Sequence, residues 1–106
     1  MSDNALKTLS EIATEAHTRI QESSDINPVV GVRRGMRDSG IPADAMTIDC
    51  LRTGKRILLI LHDKQPGMLL YQFTEINDEA GSGLQQMPFD QLRAETLAEW
   101  IQKHFS

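Results

Sequence analysis

The spacing of apolar positions divides this chain into helical ends and an extended middle. Over residues 3–23, Leu6, Leu9, Ile12, Ala13, Ala16 and Ile20 recur at intervals of three and four. That spacing puts them on one stripe of an α-helix and leaves Lys7, Glu11, Glu15 and Glu22 in water. Ser2 or Asp3 supplies the short side-chain oxygen that caps such a helix. Ser23-Ser24-Asp25 ends the pattern. Asn27-Pro28 then predicts a second, shorter helix, because Asn is a favoured cap and Pro loses no hydrogen bond at the first helical position. Val29, Val32 and Met36 would share its face. Gly31 and Gly35 would weaken it by about 1 kcal/mol each, and Gly40 would end it in the left-handed conformation. Ile41-Pro42-Ala43-Asp44 reads as an extended connector, since a residue before Pro avoids the helical region.

From Met46 to Glu75 the pattern changes. Three apolar runs are separated by two turn signals, which predicts an antiparallel meander. In the first run Met46, Ile48 and Cys50 alternate with Thr47 and Asp49, as in a half-buried strand. Gly54 supports a tight hairpin into the second run. That run, Ile57 to Leu61, is apolar at every position, so both its faces need cover. Gln65-Pro66-Gly67-Met68 fits a type II turn. The third run places Leu69, Tyr71 and Phe73 on one face and Met68, Leu70, Gln72 and Thr74 on the other. Residues 77–83 are polar and glycine-rich and read as a loop. Residues 84–87 predict a short fourth strand beside the third, ended by Pro88. Residues 89–92 read as a turn opening a last helix from Ala94 to Phe105, with Leu97, Trp100, Ile101 and Phe105 as its stripe.

The fold class that follows is α+β: an antiparallel meander of three or four strands, two N-terminal helices and one C-terminal helix. Its 106 residues suit one domain, and that length buries a core without staples. Five residues are aromatic, so the core is mainly aliphatic.

Charge alters this picture. The net charge is −4, but its distribution is uneven. Residues 1–29 carry two basic and five acidic groups, residues 30–64 seven and four, and residues 65–106 two and six. The middle is a basic island in an acidic protein, which disfavours extended nucleic acid as a partner. One cysteine, Cys50, forms no internal disulfide. The N-terminus lacks a secretory pattern, and the longest apolar run is too short to span a bilayer. A cytoplasmic protein with no membrane partner is expected.

The candidate chemistry is sparse. His17, His62 and His104 fall on different elements without the spacing of a zinc site, so no metal and no cofactor is expected. Cys50 alternates with core positions and reads as a small buried apolar residue. An enzyme would need scattered groups such as His62, Asp63, Tyr71 and Cys50 to converge in space. The strongest polar constellation is Arg33, Arg34 and Arg37, which a helix would gather on one side, with Arg52, Lys55 and Arg56 at the first hairpin beside it. Arginine forks suit phosphate, carboxylate or an acidic protein; a solvated, locally paired face accounts for the same residues. Met68 and Leu70 mark an association surface if the second sheet face is uncovered. The leading expectation is therefore a small non-catalytic protein-interaction domain, regulatory or chaperone-like, binding a protein or short anionic ligand or pairing as a homodimer. The alternative is nucleic-acid or phosphorylated-ligand binding through Arg33, Arg34 and Arg37.

Overall fold

The structure, a computed structural model, describes residues 2–33, 38–65, 67–76 and 84–105. Helix α1 spans Ser2–Ser23. Five strands follow: β1 Val29–Arg33, β2 Ala43–Cys50, β3 Lys55–His62, β4 Met68–Glu75 and β5 Gln85–Pro88. A 3-10 turn at Phe89–Gln91 leads into helix α2, Ala94–Phe105. The strands form one antiparallel sheet in the order β1-β2-β3-β4-β5. The class is α+β as the patterning predicts, with two helices among the described residues and five strands.

The main correction concerns residues 29–33. They form an edge strand, not the start of a second helix. Val29, Val30 and Val32 are β-branched and fit a pleated surface better than a helix. Val30 pairs with Ile48 and Val32 with Met46, so the segment completes the open side of β2. Gly31 lies opposite Thr47, where an added Cβ would meet the Thr47 hydroxyl at 3.3 Å. Glycine permits that close approach. Gly40 has the expected positive φ of 90°, in the turn before β2. Met36 and Gly35 lie outside the described residues.

The two predicted hairpins form. Gly54 has φ of 74°, and its N–H donates to the Cys50 carbonyl at 2.8 Å. Gly67 has φ of 80°, and the Met68 N–H donates to the Gln65 carbonyl at 3.2 Å. Pro66 of that turn and the loop at 77–83 lie outside the described residues.

One face of the sheet carries the main core. Met46, Ile48, Cys50, Ile57, Leu59, Leu61 and Leu69 pack with Leu6, Leu9, Ala13, Ala16 and Ile20 of α1 and Leu97, Ile101 and Phe105 of α2. The helices contact each other, and both contact β3. The opposite face holds a second cluster of Ala43, Ala45, Leu58 and Ile60. No described helix residue belongs to it, yet every residue of β3 from Ile57 to Leu61 is buried. Ala45 on β2 and half-buried Leu70 on β4 flank Ile60 in one cross-strand row.

Two histidines tie the helices to the sheet. The His17 Nε2–H donates to the Pro28 carbonyl at 2.9 Å and fixes where β1 begins. The His104 Nε2–H is shared between the Arg56 carbonyl at 3.1 Å and the Thr74 carbonyl at 2.9 Å. With two carbonyls facing it, that nitrogen is the protonated one. No helix among the described residues is long and apolar enough to cross a membrane.

Candidate interaction surface

The sheet has an apolar edge open to solvent. β1 stands at the end of the strand order, so half of its backbone N–H and C=O groups point away from β2. Its three valines are poorly covered: Val29 is 46% exposed, Val30 39% and Val32 47%. Register places Val30 and Val32 on the helix-bearing side of the sheet and Val29 on the other. Ile41 and Leu51 are exposed apolar residues on the segments that flank β2. An edge strand of this composition, without lysine, proline or a bulge, is a template for another strand.

A cleft of about 530 Å³ opens at the start of β1. Ile26, Val29, Cys50, Leu51 and Phe105 give it an apolar lining, while Asp25, Arg52, Thr53 and Gln102 supply polar groups. It forms where the α1–β1 connector, the β2–β3 turn and the end of α2 meet. Arg52 reaches back across this space, its Nη2 donating a long bond of 3.4 Å to the Asp25 carbonyl.

Cys50 is buried here with an altered acidity. Burial pushes its thiol up, but the Thr53 hydroxyl, the Thr53 and Arg52 backbone N–H groups and the Arg52 charge favour the thiolate more strongly. The pKa therefore lies below its ordinary value. Thr53→Val removes the largest of the favourable contributions and is expected to move the pH midpoint of Cys50 alkylation upward. Rates measured across a pH series test this; an unchanged midpoint rejects the hydroxyl as the cause.

The basic island divides in two. Arg33 is the last residue of β1, at the register position opposite Ala45, whereas Asp49 and its partner Arg56 lie in the row of Val29. Four residues of strand, roughly 13 Å, separate those rows. Arg33 shares no helical face with Arg37, because it belongs to a strand; Arg34 and Arg37 lie outside the described residues. Arg56 is engaged: its Nε and Nη2 donate to the two carboxylate oxygens of Asp49 at 2.6 and 2.9 Å. The bond to Asp49 raises the guanidinium pKa against an opposing effect of burial. Lys55 faces Cys50 across the first hairpin, and Arg52 belongs to the cleft.

The scattered groups of the enzyme hypothesis do not converge. Cys50 pairs with Lys55 at one end of β3 and His62 with Ala43 at the other, about 23 Å apart at 3.3 Å per residue. Tyr71 sits opposite Leu59 in the middle and stacks on Trp100, with ring centres 4.7 Å apart. The His62 ring accepts the Lys64 N–H at 3.1 Å, closing a local turn. No group of three potential metal-binding residues occurs among the described residues. Met68 opens β4 partly exposed, and Leu70 rests half-buried on the second cluster.

Helical spacing hides the open edge, although one local signal marks it: three β-branched valines within four residues. No protein-family model, curated protein or solved structure matches this chain.

Proposed function

We propose that this chain is a small non-catalytic interaction module that binds a polypeptide through the β1 edge. One observation carries the reading: an apolar strand at the end of the sheet whose three valines are 39–47% exposed. Strand addition there satisfies the outward backbone groups and removes valine side chains from water. The cleft at the start of β1 lengthens the same surface.

The double variant Val30→Lys/Val32→Lys tests it, since lysine on an edge strand opposes pairing. Both positions are exposed, so each change is expected to alter stability by no more than about 0.5 kcal/mol. Affinity capture from the source cell's extract, with wild type and variant compared, is expected to show loss of the wild-type partners. Amide exchange in β1 of the captured wild type is expected to slow. Equal partner sets together with unchanged β1 exchange reject the edge as the working surface.

A further inference from the structure

Resting on that reading, we infer that the occupant of the β1 edge is a second copy of this chain, paired antiparallel about a two-fold axis at Gly31 so that Val30 of each copy bonds Val32 of the other. Backbone phase selects this register. The Asp63 N–H donates to the Pro42 carbonyl at 2.8 Å, and these residues continue the β2–β3 register one step past Ala43 and His62. Residues 42 and 63 are therefore a hydrogen-bonded pair, and alternation along the ladder makes Met46–Leu59 and Ile48–Ile57 bonded pairs as well. The Ile76 N–H on the Gly54 carbonyl, also at 2.8 Å, gives β3 and β4 the complementary phase. Ala45, Thr47 and Asp49 then direct their backbone groups toward β1, where they meet Arg33, Gly31 and Val29. Val30 and Val32 are left with N–H and C=O pointing out of the sheet.

Those outward groups are self-complementary. In an antiparallel pair centred on Gly31, Val30 and Val32 of one copy exchange bonds with Val32 and Val30 of the other, which satisfies every outward group of these residues on both copies. Sliding the register toward Pro28 loses bonds, because proline has no N–H and the Pro28 carbonyl already accepts the His17 Nε2–H. The two Gly31 residues fall in the non-bonded pair at the centre, where Cα atoms approach to about 4.5 Å and neither copy carries a side chain. On the helix-bearing side each Val30 lies directly opposite the Val32 of the other copy, within contact distance. These valines are 39% and 47% exposed in the single chain, so pairing removes apolar surface from water.

Charge permits the approach. The chain carries a net −4, so two copies repel wherever their acidic surfaces meet. At this seam Val29 to Val32 are uncharged. The side of α1 that overlooks the connector to β1 is marked by His17 on the Pro28 carbonyl and Gln21 on the Asn27 side chain. Thr14 and Ser10 continue that stripe without a carboxylate. Glu22, Glu95 and Glu99 gather with Arg19 at the groove between the helices instead. On the other side of the sheet the Asp49 carboxylate, in the row of Val29, is already held by Arg56. The register keeps the Arg33 positions of the two copies four residues of strand apart, roughly 13 Å against a Debye length of about 8 Å. A five-residue edge offers little area against the roughly 1,200–2,000 Å² of a stable interface, so the dimer is reversible and grows with concentration.

The test uses the full chain. Sedimentation equilibrium over a wide range of concentration is expected to show a reversible rise in mass from one chain to two. Val30→Lys/Val32→Lys is expected to abolish that rise while the circular dichroism spectrum stays that of the wild type. Amide exchange of the wild type alone, followed by NMR at low and high concentration, gives a readout independent of the variant. The Val30 and Val32 amides are expected to slow roughly ten-fold or more at the higher concentration. The Gln86 amide is the control: the Phe89 N–H bond to the Gly67 carbonyl sets the phase that leaves it outward on β5, at the opposite edge, and its rate is expected to stay constant. A single-chain mass at every concentration overturns the inference. So does a dimer that the double variant retains, or one that slows Gln86 rather than Val30 and Val32, since another surface then joins the copies. If the wild type is monomeric and the double variant still loses its extract partners, β1 remains the working surface and only its occupant is wrong. If that variant keeps them and β1 exchange in the captured wild type is unchanged, the edge reading falls as well.

Discussion

Leu59→Ala is expected to lower the free energy of unfolding by about 2–5 kcal/mol, the range for removing a buried leucine from a core that relaxes incompletely. Leu59 is 0% exposed. It lies at the centre of β3, between Met46 of β2 and Tyr71 of β4, and it points toward the helices. Neighbours on both sides are held by the hydrogen-bond ladder and cannot collapse into the space a shortened side chain leaves. Leu51 provides the contrast. It is also a leucine, but at 72% exposure its replacement by alanine is expected to change stability by about 0.5 kcal/mol or less. Urea titrations of the two variants and the wild type measure the difference. Coincident midpoints for Leu59→Ala and Leu51→Ala would reject the placement of the core. The β3 neighbours Ile57 and Leu61 share this face, so Ile57→Ala is expected to behave similarly.

Breaking the Asp49–Arg56 pair is expected to cost about 1.5–3 kcal/mol, more than an exposed ion pair and less than a fully buried one. The two residues are cross-strand neighbours of β2 and β3, and both ends of the carboxylate are held by the guanidinium fork. Their side chains retain only 15–16% of their exposure, so water replaces a lost partner incompletely. Asp49→Ala leaves a partly desolvated cation, and Arg56→Ala leaves a partly desolvated carboxylate. The double variant removes both charges and is expected to be less destabilised than the sum of the two single variants. A double-mutant cycle read by denaturation gives the coupling directly. Coupling below about 0.5 kcal/mol would place the pair among ordinary surface contacts. This pairing also alters the picture of the basic middle of the chain. A cation counted as part of a binding island is committed to holding the first hairpin together.

The limits of local pattern are clearest in the Asn27–Gly40 segment. Asn-Pro at its start and Val29, Val32 and Met36 at helical spacing are consistent with a helix, and nothing within the segment forbids one. The decision comes from β2. Its Met46, Ile48 and Thr47 positions offer an unpaired edge, and Val30, Val32 and Gly31 fit that edge in register. β-propensity of this kind reports the fit to a neighbouring strand, so it cannot be evaluated on one segment alone. Arg33 stands at a strand end, four residues along the ladder from the row of Arg56, while Arg34 and Arg37 lie outside the described residues.

Local pattern is enough for the elements whose signal is periodic and long. The stripe from Leu6 to Ile20 defines α1, the stripe from Leu97 to Phe105 defines α2, and the unbroken run from Ile57 to Leu61 marks a strand buried on both faces. Gly54 and Gly67 mark the turns, because only glycine takes their positive φ without strain. Tertiary structure alone decided the pairings. It joined Asp49 to Arg56, fixed α1 and α2 to the sheet through His17 and His104, put Cys50 beside a cleft, and left the valines of β1 at an open edge. The physical reason is range. Periodicity and turn chemistry act between residues a few positions apart, whereas ladder register, charge pairing and exposure depend on which distant segment arrives alongside.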